Sequence, residues 1–154
     1  MDKELTDSDQ QVLSDIEQYG LHIVHVLADD KGPGFGFSIG LFHNFKHPEI
    51  IFIGLQQELI HSLVNDIGEA IKKGKRFEPF TYSPDILEGF DCYFIPVEQP
   101  NYKEYLGYAR WFYKGDEFPV LQCIYPTVKG VYPWEDNWPV RIKNLQPILG
   151  PLKK

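Results

Sequence analysis

His43, His47 and Glu49 stand within seven residues of one another in the stretch FSIGLFHNFKHPEIIFIGL, Phe37 to Leu55. Imidazole and carboxylate are metal ligands, and histidine titrates near neutrality, which suits acid–base work. The spacing H-x-x-x-H-x-E would put both histidines on one face of a helix, as in zinc proteases. That motif needs the glutamate directly after the first histidine, and Asn44 stands there instead. Pro48 and the flanking apolar segments predict two strands joined by a polar loop. The favoured reading is therefore a turn in which His47 and Glu49 satisfy backbone groups and Pro48 sets the shape. Two alternatives stay open. In one, His43, His47 and Glu49 converge on a metal; in the other, His47 is an acid–base group that Glu49 orients, at a polar binding site that includes His43.

Gly36-Phe37-Ser38-Ile39-Gly40 spells G-x-S-x-G. A nucleophile elbow needs a strand, a sharp turn carrying the serine, and a helix. A polar loop and another strand are predicted after Gly40, with no helix beginning there, so Ser38 reads as a strand serine. His22 and His25 fall in an apolar strand and point to opposite faces, at least one of them towards solvent. His61 falls on the polar side of a helix. Cys92 and Cys123 allow one disulfide by arithmetic but lie in core-like strands, so inert thiols are expected. Near the end, Trp134, Glu135, Asp136 and Trp138 sit between prolines. Indoles in irregular backbone anchor a tail to the core, or else form a pocket wall or partner surface. Arg110 and Trp111 are placed to supply a cation near them.

The elements that must hold these groups follow from periodicity. Ser8 and Gln11 resemble a capping box ahead of a helix over 8–19, closed by Gly20. Strands are expected at 21–27, 35–41 and 49–55, the first two forming a hairpin around the Asp29–Gly34 turn. Leu59, Ile60, Leu63, Val64, Ile67, Ala70 and Ile71 mark a long amphipathic helix ending before Gly74. A short strand at 80–82, a strand at 92–97, a helix over 102–113 and a strand at 120–125 follow. Residues 126–154 read as an extended tail on the core. The fold class is α+β in one domain, 1–154: a mainly antiparallel sheet with two or three packed helices. The units are the helix 8–19, the sheet and long helix 21–74, the second half 77–125 and the tail 126–154. A barrel-like closure of the sheet is the variant.

A chain of 154 residues buries roughly 70% of its unfolded surface, enough for a core without staples. Net charge is −7, and the basic residues are scattered. That argues against nucleic acid and suits a cationic protein partner. No apolar run approaches the ~20 residues of a membrane span. Met1-Asp2-Lys3-Glu4 has no secretory character, so the cytoplasm is expected.

Taken together, FGFSIGL, HPEIIFIGL, Gly74, LGYARWFYKGDEFPVLQCIYP, Pro133-Trp134 and LQPILG resemble a bacterial family known as domain of unknown function 4262. The likeness runs from about Tyr19 to Gly150. It implies recurring features at His47-Pro48-Glu49, Gln122 and Pro133-Trp134, a bacterial host, and no established activity. Ser38 departs from it where threonine is expected, and Thr127 departs where aspartate is expected, which puts any chemistry of that aspartate in doubt.

The function expected is a binding or interaction module with an acidic, aromatic surface, for example one that neutralises a toxin. A homo-oligomer is the other partner possibility. The competing class is a small enzyme or cofactor binder at the His43–Glu49 loop. Flavin is its low-ranked cofactor, by analogy with split barrels alone, and no cofactor is favoured.

Overall fold

The computed structural model describes residues 4–154, which open with helix α1 (Asp7–Tyr19). Thr6 caps it. The Thr6 hydroxyl accepts the Asp9 N–H at 3.0 Å, and the Asp9 carboxylate accepts the Thr6 N–H at 3.2 Å. This box stands two residues ahead of the expected Ser8–Gln11 pair, because Asp9 at the third helical position closes the reciprocal bond first. Gly20 ends the helix at φ +92°, as its position predicts.

Strands β1 (His22–Val26), β2 (Phe35–Ile39) and β3 (Glu49–Ile53) follow, with a short helix α2 (Leu41–Phe45) between the last two. The predicted polar loop is thus largely a helix. Next come α3 (Gln57–Lys72), the hairpin β4 (Thr81–Leu87) and β5 (Phe90–Pro96), α4 (Tyr102–Tyr105), α5 (Gly107–Tyr113) and β6 (Val120–Ile124). The single helix expected over 102–113 is broken at Leu106, whose φ −120° and ψ 30° are not helical. The strand expected at 80–82 runs from Thr81 to Leu87, pairing with β5 over Thr81–Ser83 and again at Leu87 across a register shift.

The sheet order is β1-β2-β3-β6-β5-β4. Only β3 and β6 run parallel, the crossover between them being made through α3 and the β4–β5 hairpin. The sheet is open, with β1 and β4 as its edges, so the barrel-like variant does not form. Alternation along β3 sends Ile50 and Phe52 to one face and Ile51 and Ile53 to the other. The first face packs on α3 through Ile60, Leu63, Val64, Ile67 and Ile71. Leu59, placed on that stripe by spacing, is 39% exposed. The second face is covered by α1, α4 and α5 and, over β5 and β6, by the tail.

Side-chain amides hold that tail across the face of β6. Buried Gln122 donates to the Pro147 carbonyl at 2.6 Å and accepts the Leu149 N–H at 2.9 Å. Gln146 accepts the Tyr125 N–H and donates to the Tyr125 carbonyl, both at 3.0 Å. Gln122→Leu keeps the volume and deletes both tail bonds. We expect a loss of about 1–3 kcal/mol in urea unfolding, from orphaned buried groups. We also expect faster proteolytic cleavage within 147–152; unchanged cleavage would show that the tail is held by other contacts.

Candidate functional site

Glu49 opens β3, and its carboxylate is fully buried at the start of α2. A helix of five residues leaves nearly all its amides without intrahelical partners. Its N-cap, Gly40, has no side chain to help, and a Cβ there would lie 2.8 Å from the Gly20 carbonyl in a backbone at φ +119°. Glu49 replaces the missing cap. It accepts the N–H groups of Gly40 at 2.9 Å, Leu41 at 3.2 Å and Phe42 at 3.3 Å. A carboxylate is also the charge that a helix N-terminus favours. The Ser38 hydroxyl adds a bond of 2.7 Å to Glu49 while accepting the Ile50 N–H at 3.0 Å. The Tyr113 hydroxyl donates to Glu49 from α5 and accepts the His43 N–H at 3.2 Å. Burial pushes the Glu49 carboxyl above its usual range; the bonds from Tyr113, Ser38, Gly40 and Phe42 pull it back. Burial, then the Glu49 charge, pushes the Tyr113 phenol well up.

The rest of α2 is held with similar care. Arg76 donates to the Phe45 carbonyl at 2.9 Å and the Lys46 carbonyl at 2.7 Å, covering the helix's C-terminal end. Asn44 donates to the carbonyls of Ile16 at 3.1 Å and Gly20 at 2.9 Å, joining α2 to the end of α1. His47, fully buried, is Nδ1–H to the Pro48 carbonyl at 2.8 Å, while its Nε2 accepts the Phe77 N–H at 2.9 Å. Both partners are backbone groups of fixed sense, so the ring is the neutral Nδ1–H tautomer. Burial lowers its pKa; Arg76 adds to this, and the Pro48 carbonyl opposes it.

The structure therefore does not bring His43, His47 and Glu49 together. His43 is exposed on α2, its ring edge-on to Phe112 at 5.4 Å, and His47 and Glu49 are committed to backbone. Among the described residues no group of three or more His, Cys, Asp or Glu side chains could hold a metal ion. A helix does begin just after Gly40, against expectation, so strand, turn and helix all follow the G-x-S-x-G spelling. Ser38 nonetheless lies inside β2 and is fully buried, so it is not on the turn that would expose a nucleophile. His22 meets Asp15 at 2.8 Å and His25 meets His61 at 3.0 Å, on opposite faces as expected, though both are half-buried. Cys92 and Cys123 are buried free thiols.

The tail's tryptophans lie elsewhere. Trp134 stacks on Tyr132 at 4.9 Å and meets Tyr93 edge-on at 5.5 Å. Trp138 donates to the Ile142 carbonyl at 3.0 Å. Glu135 accepts the Tyr132 N–H at 2.6 Å, and Asp136 is exposed. Arg110 and Trp111 do not reach them: Arg110 pairs with Asp116 at 2.5 Å, and Trp111 packs on Tyr108 at 5.2 Å in a groove against α1. Sequence reasoning missed that Ser38 and Tyr113 serve the buried Glu49 and that the exposed Asn44 and Arg76 hold the ends of α1 and α2. A signal did exist for Ser38, a hydroxyl in an otherwise apolar strand.

The family described as Domain of unknown function (DUF4262) matches residues 15–139 of the chain's 154. The chain belongs to this family. No curated protein and no solved structure matches it. In this DUF4262 protein the matched range contains Ser38, His47, Glu49, Tyr113 and Gln122, whereas Gln146 and Leu149, which secure the tail, lie beyond it. Ser38, where the resemblance implies threonine, supplies the hydroxyl that bonds Glu49. Thr127 accepts the Lys129 and Val131 N–H groups at 3.3 and 3.1 Å, a turn-holding task that an aspartate carboxylate performs equally.

Glu49→Ala orphans several buried donors and should cost at least about 3 kcal/mol, at about 1–3 kcal/mol each. Ser38→Ala should cost about 1–3 kcal/mol on the same grounds, and Ser38→Thr far less; equal losses for Ala and Thr in urea melts would show that the hydroxyl is not what matters. For His47 the folded pKa lies below the ordinary 6.5, so the unfolded chain takes up a proton first. Its contribution is full above pH 6.5 and falls as pH drops towards the lowered value. The unfolding midpoint of the wild type should therefore fall more between pH 7.5 and 5 than that of His47→Asn. Parallel curves would refute the assignment.

Proposed function

We propose that this protein is an interaction module whose docking groove lies between α1 and α5. The observation that carries this reading is where the chemistry is placed. Ser38, His47 and Glu49 serve backbone groups inside the core, while an aromatic and acidic set lines an open surface groove of about 1010 Å³. Leu5, Leu13, Tyr108, Trp111 and Phe112 form its apolar lining, and Glu4 and Asp9 add two acids beside one cation, Lys114. Tyr108 is pre-set by its hydroxyl bond to Asp9 at 2.6 Å and by the Trp111 ring edge. Ordered aromatic rings in a groove are what interface hot spots use. The rings of Trp134 and Trp138 are occupied in holding the tail, so the support rests with Trp111.

The occupant this groove suits is a protein carrying basic and apolar side chains. The chain's charge of −7 steers such a partner and repels another acidic chain. A bacterial cytoplasm is part of the reading, and buried free thiols suit a reducing compartment. No helix among the described residues is long and apolar enough to cross a membrane.

The test is affinity purification of the tagged chain from bacterial extract, with partners quantified by mass spectrometry. A basic protein should be enriched, should be lost at high salt, and should be lost with Trp111→Ala while the melting temperature is held. Enrichment that survives Trp111→Ala would end this reading.

A further inference from the structure

The edge strand β1 is unprotected in a way that the other edge, β4, is not. Exposed strand edges present unpaired N–H and C=O groups, and native proteins blunt them with proline, bulges or charge. β4 has all three: Pro84, a register shift between Ser83 and Leu87, and Asp85 paired to Lys75 at 2.5 Å. β1 reads His-Ile-Val-His-Val and keeps unbroken register with β2 from His22 to Val26.

The register also shows which backbone groups are free. The Gly54 N–H donates to the Gly34 carbonyl at 2.8 Å, so Gly34 and, by alternation, Gly36 bond towards β3. Phe35, Phe37 and Ile39 then bond to Val26, Val24 and His22. Ile23 and His25 turn their N–H and C=O groups outward, and no backbone partner meets them among the described residues.

This edge lies at the floor of a slot. One cavity of about 310 Å³ is lined by Asp15 and Tyr19 of α1 on one side, His61 and Asn65 of α3 on the other, and Leu21–Ile23 between them. A separate cavity of about 280 Å³ opens at the far end of β1, lined by His25, Val26, Gly34, Gly54, Gln57 and Leu145, with the His25–His61 contact between it and the first. Val26 and Leu27 stay 39% and 72% exposed at that end. Free backbone donors and acceptors on the floor of a groove walled by two helices are the conditions for strand addition.

We propose that β1 accepts an extended segment of another protein as a seventh strand, in this slot between α1 and α3. The segment carries basic side chains. The Asp15 carboxylate in the wall already holds His22 and Gln11, so the steering of a cationic strand comes from the chain's net charge of −7. A second copy of this chain is disfavoured twice, by like charge and by the walls, since its own helices flank the same edge. This surface is separate from the Trp111 groove, so either can fail without the other.

The probes are eight-residue peptides alternating lysine with valine, isoleucine or tyrosine, added to the intact chain and followed by amide hydrogen exchange and fluorescence anisotropy. Binding should slow exchange at Ile23 and His25, weaken with salt, and be absent for glutamate-containing counterparts and for peptides N-methylated on alternate amides. Ile23→Pro removes an outward N–H without touching the β2 ladder, and Asn65→Trp fills the slot from an exposed helix position. Each should weaken binding on the order of tenfold or more, a change of about 1.4 kcal/mol per factor of ten. If Ile23→Pro does not fold, Asn65→Trp and the wild-type exchange data decide. Failure of every peptide to bind at millimolar concentration would overturn the proposal. So would equal binding by the N-methylated peptides, or protection of Ile23 and His25 that rises with protein concentration alone and so marks a second copy.

Discussion

Everything near α2 depends on one buried carboxylate. Glu49 sits where three helix amides would otherwise point into the core without acceptors. Leaving such groups unmet costs about 1–3 kcal/mol apiece, which a five-residue helix cannot recover from its own internal bonds. The carboxylate resolves this and reaches further. Through Ser38 it is tied to β2, through its own backbone to β3 and β6, and through Tyr113 to α5. A single anion thus fixes the angle at which the chain leaves the sheet, makes a short helix and returns. Arg76 and Asn44 complete the arrangement by accounting for the carbonyls at the ends of α2 and α1.

That economy explains why the residues with the most chemical promise are structural. Perturbed titration and buried polar clusters often mark active sites, because catalysis needs them. The same signature arises when a carboxylate or imidazole substitutes for absent secondary-structure partners, as Glu49 and His47 do here. The distinction lies in where the lone pairs point. Both His47 nitrogens meet backbone groups, and the Glu49 oxygens meet amides and two hydroxyls of the protein itself. Nothing about that geometry opens towards a ligand. Two concave surfaces flank α1 instead, against α5 and along β1, where aromatic, acidic and edge-backbone groups face outward.

The tail obeys the same accounting on the far side of the sheet. β6 is already paired on both edges, by β3 and β5, so the segment after Pro126 crosses its face and cannot join the ladder. Glutamine side chains, each with a donor and an acceptor, reproduce the two bonds of a strand pair at Gln122 and Gln146. Tyr132 and Trp134 then close the apolar surface of Tyr93, Ile95 and Ile124.

Much of this was legible in the chain. The stripe from Ile60 to Ile71, the hairpin around 29–34, the stop at Gly20 and the start of β3 after Pro48 all follow from period and turn chemistry, which are local. The resemblance at His47-Pro48-Glu49 and Gln122 also pointed to residues with a shared role. What the chain could not show was that role. α2 has no cap of its own and too few residues for a period; its cap is Glu49, seven to nine residues downstream. Tyr113 lies 64 residues from the carboxylate it bonds, and Arg76 lies 30 residues from the carbonyl it covers. Trp111 and Trp134 looked like one aromatic group but face different partners. Sequence alone determined the α+β class, the main elements and the acidic balance, because those arise from neighbours along the chain. The tertiary structure decided which polar residues are buried supports and which surfaces are free, because hydrogen-bond satisfaction and burial are settled only once distant segments meet.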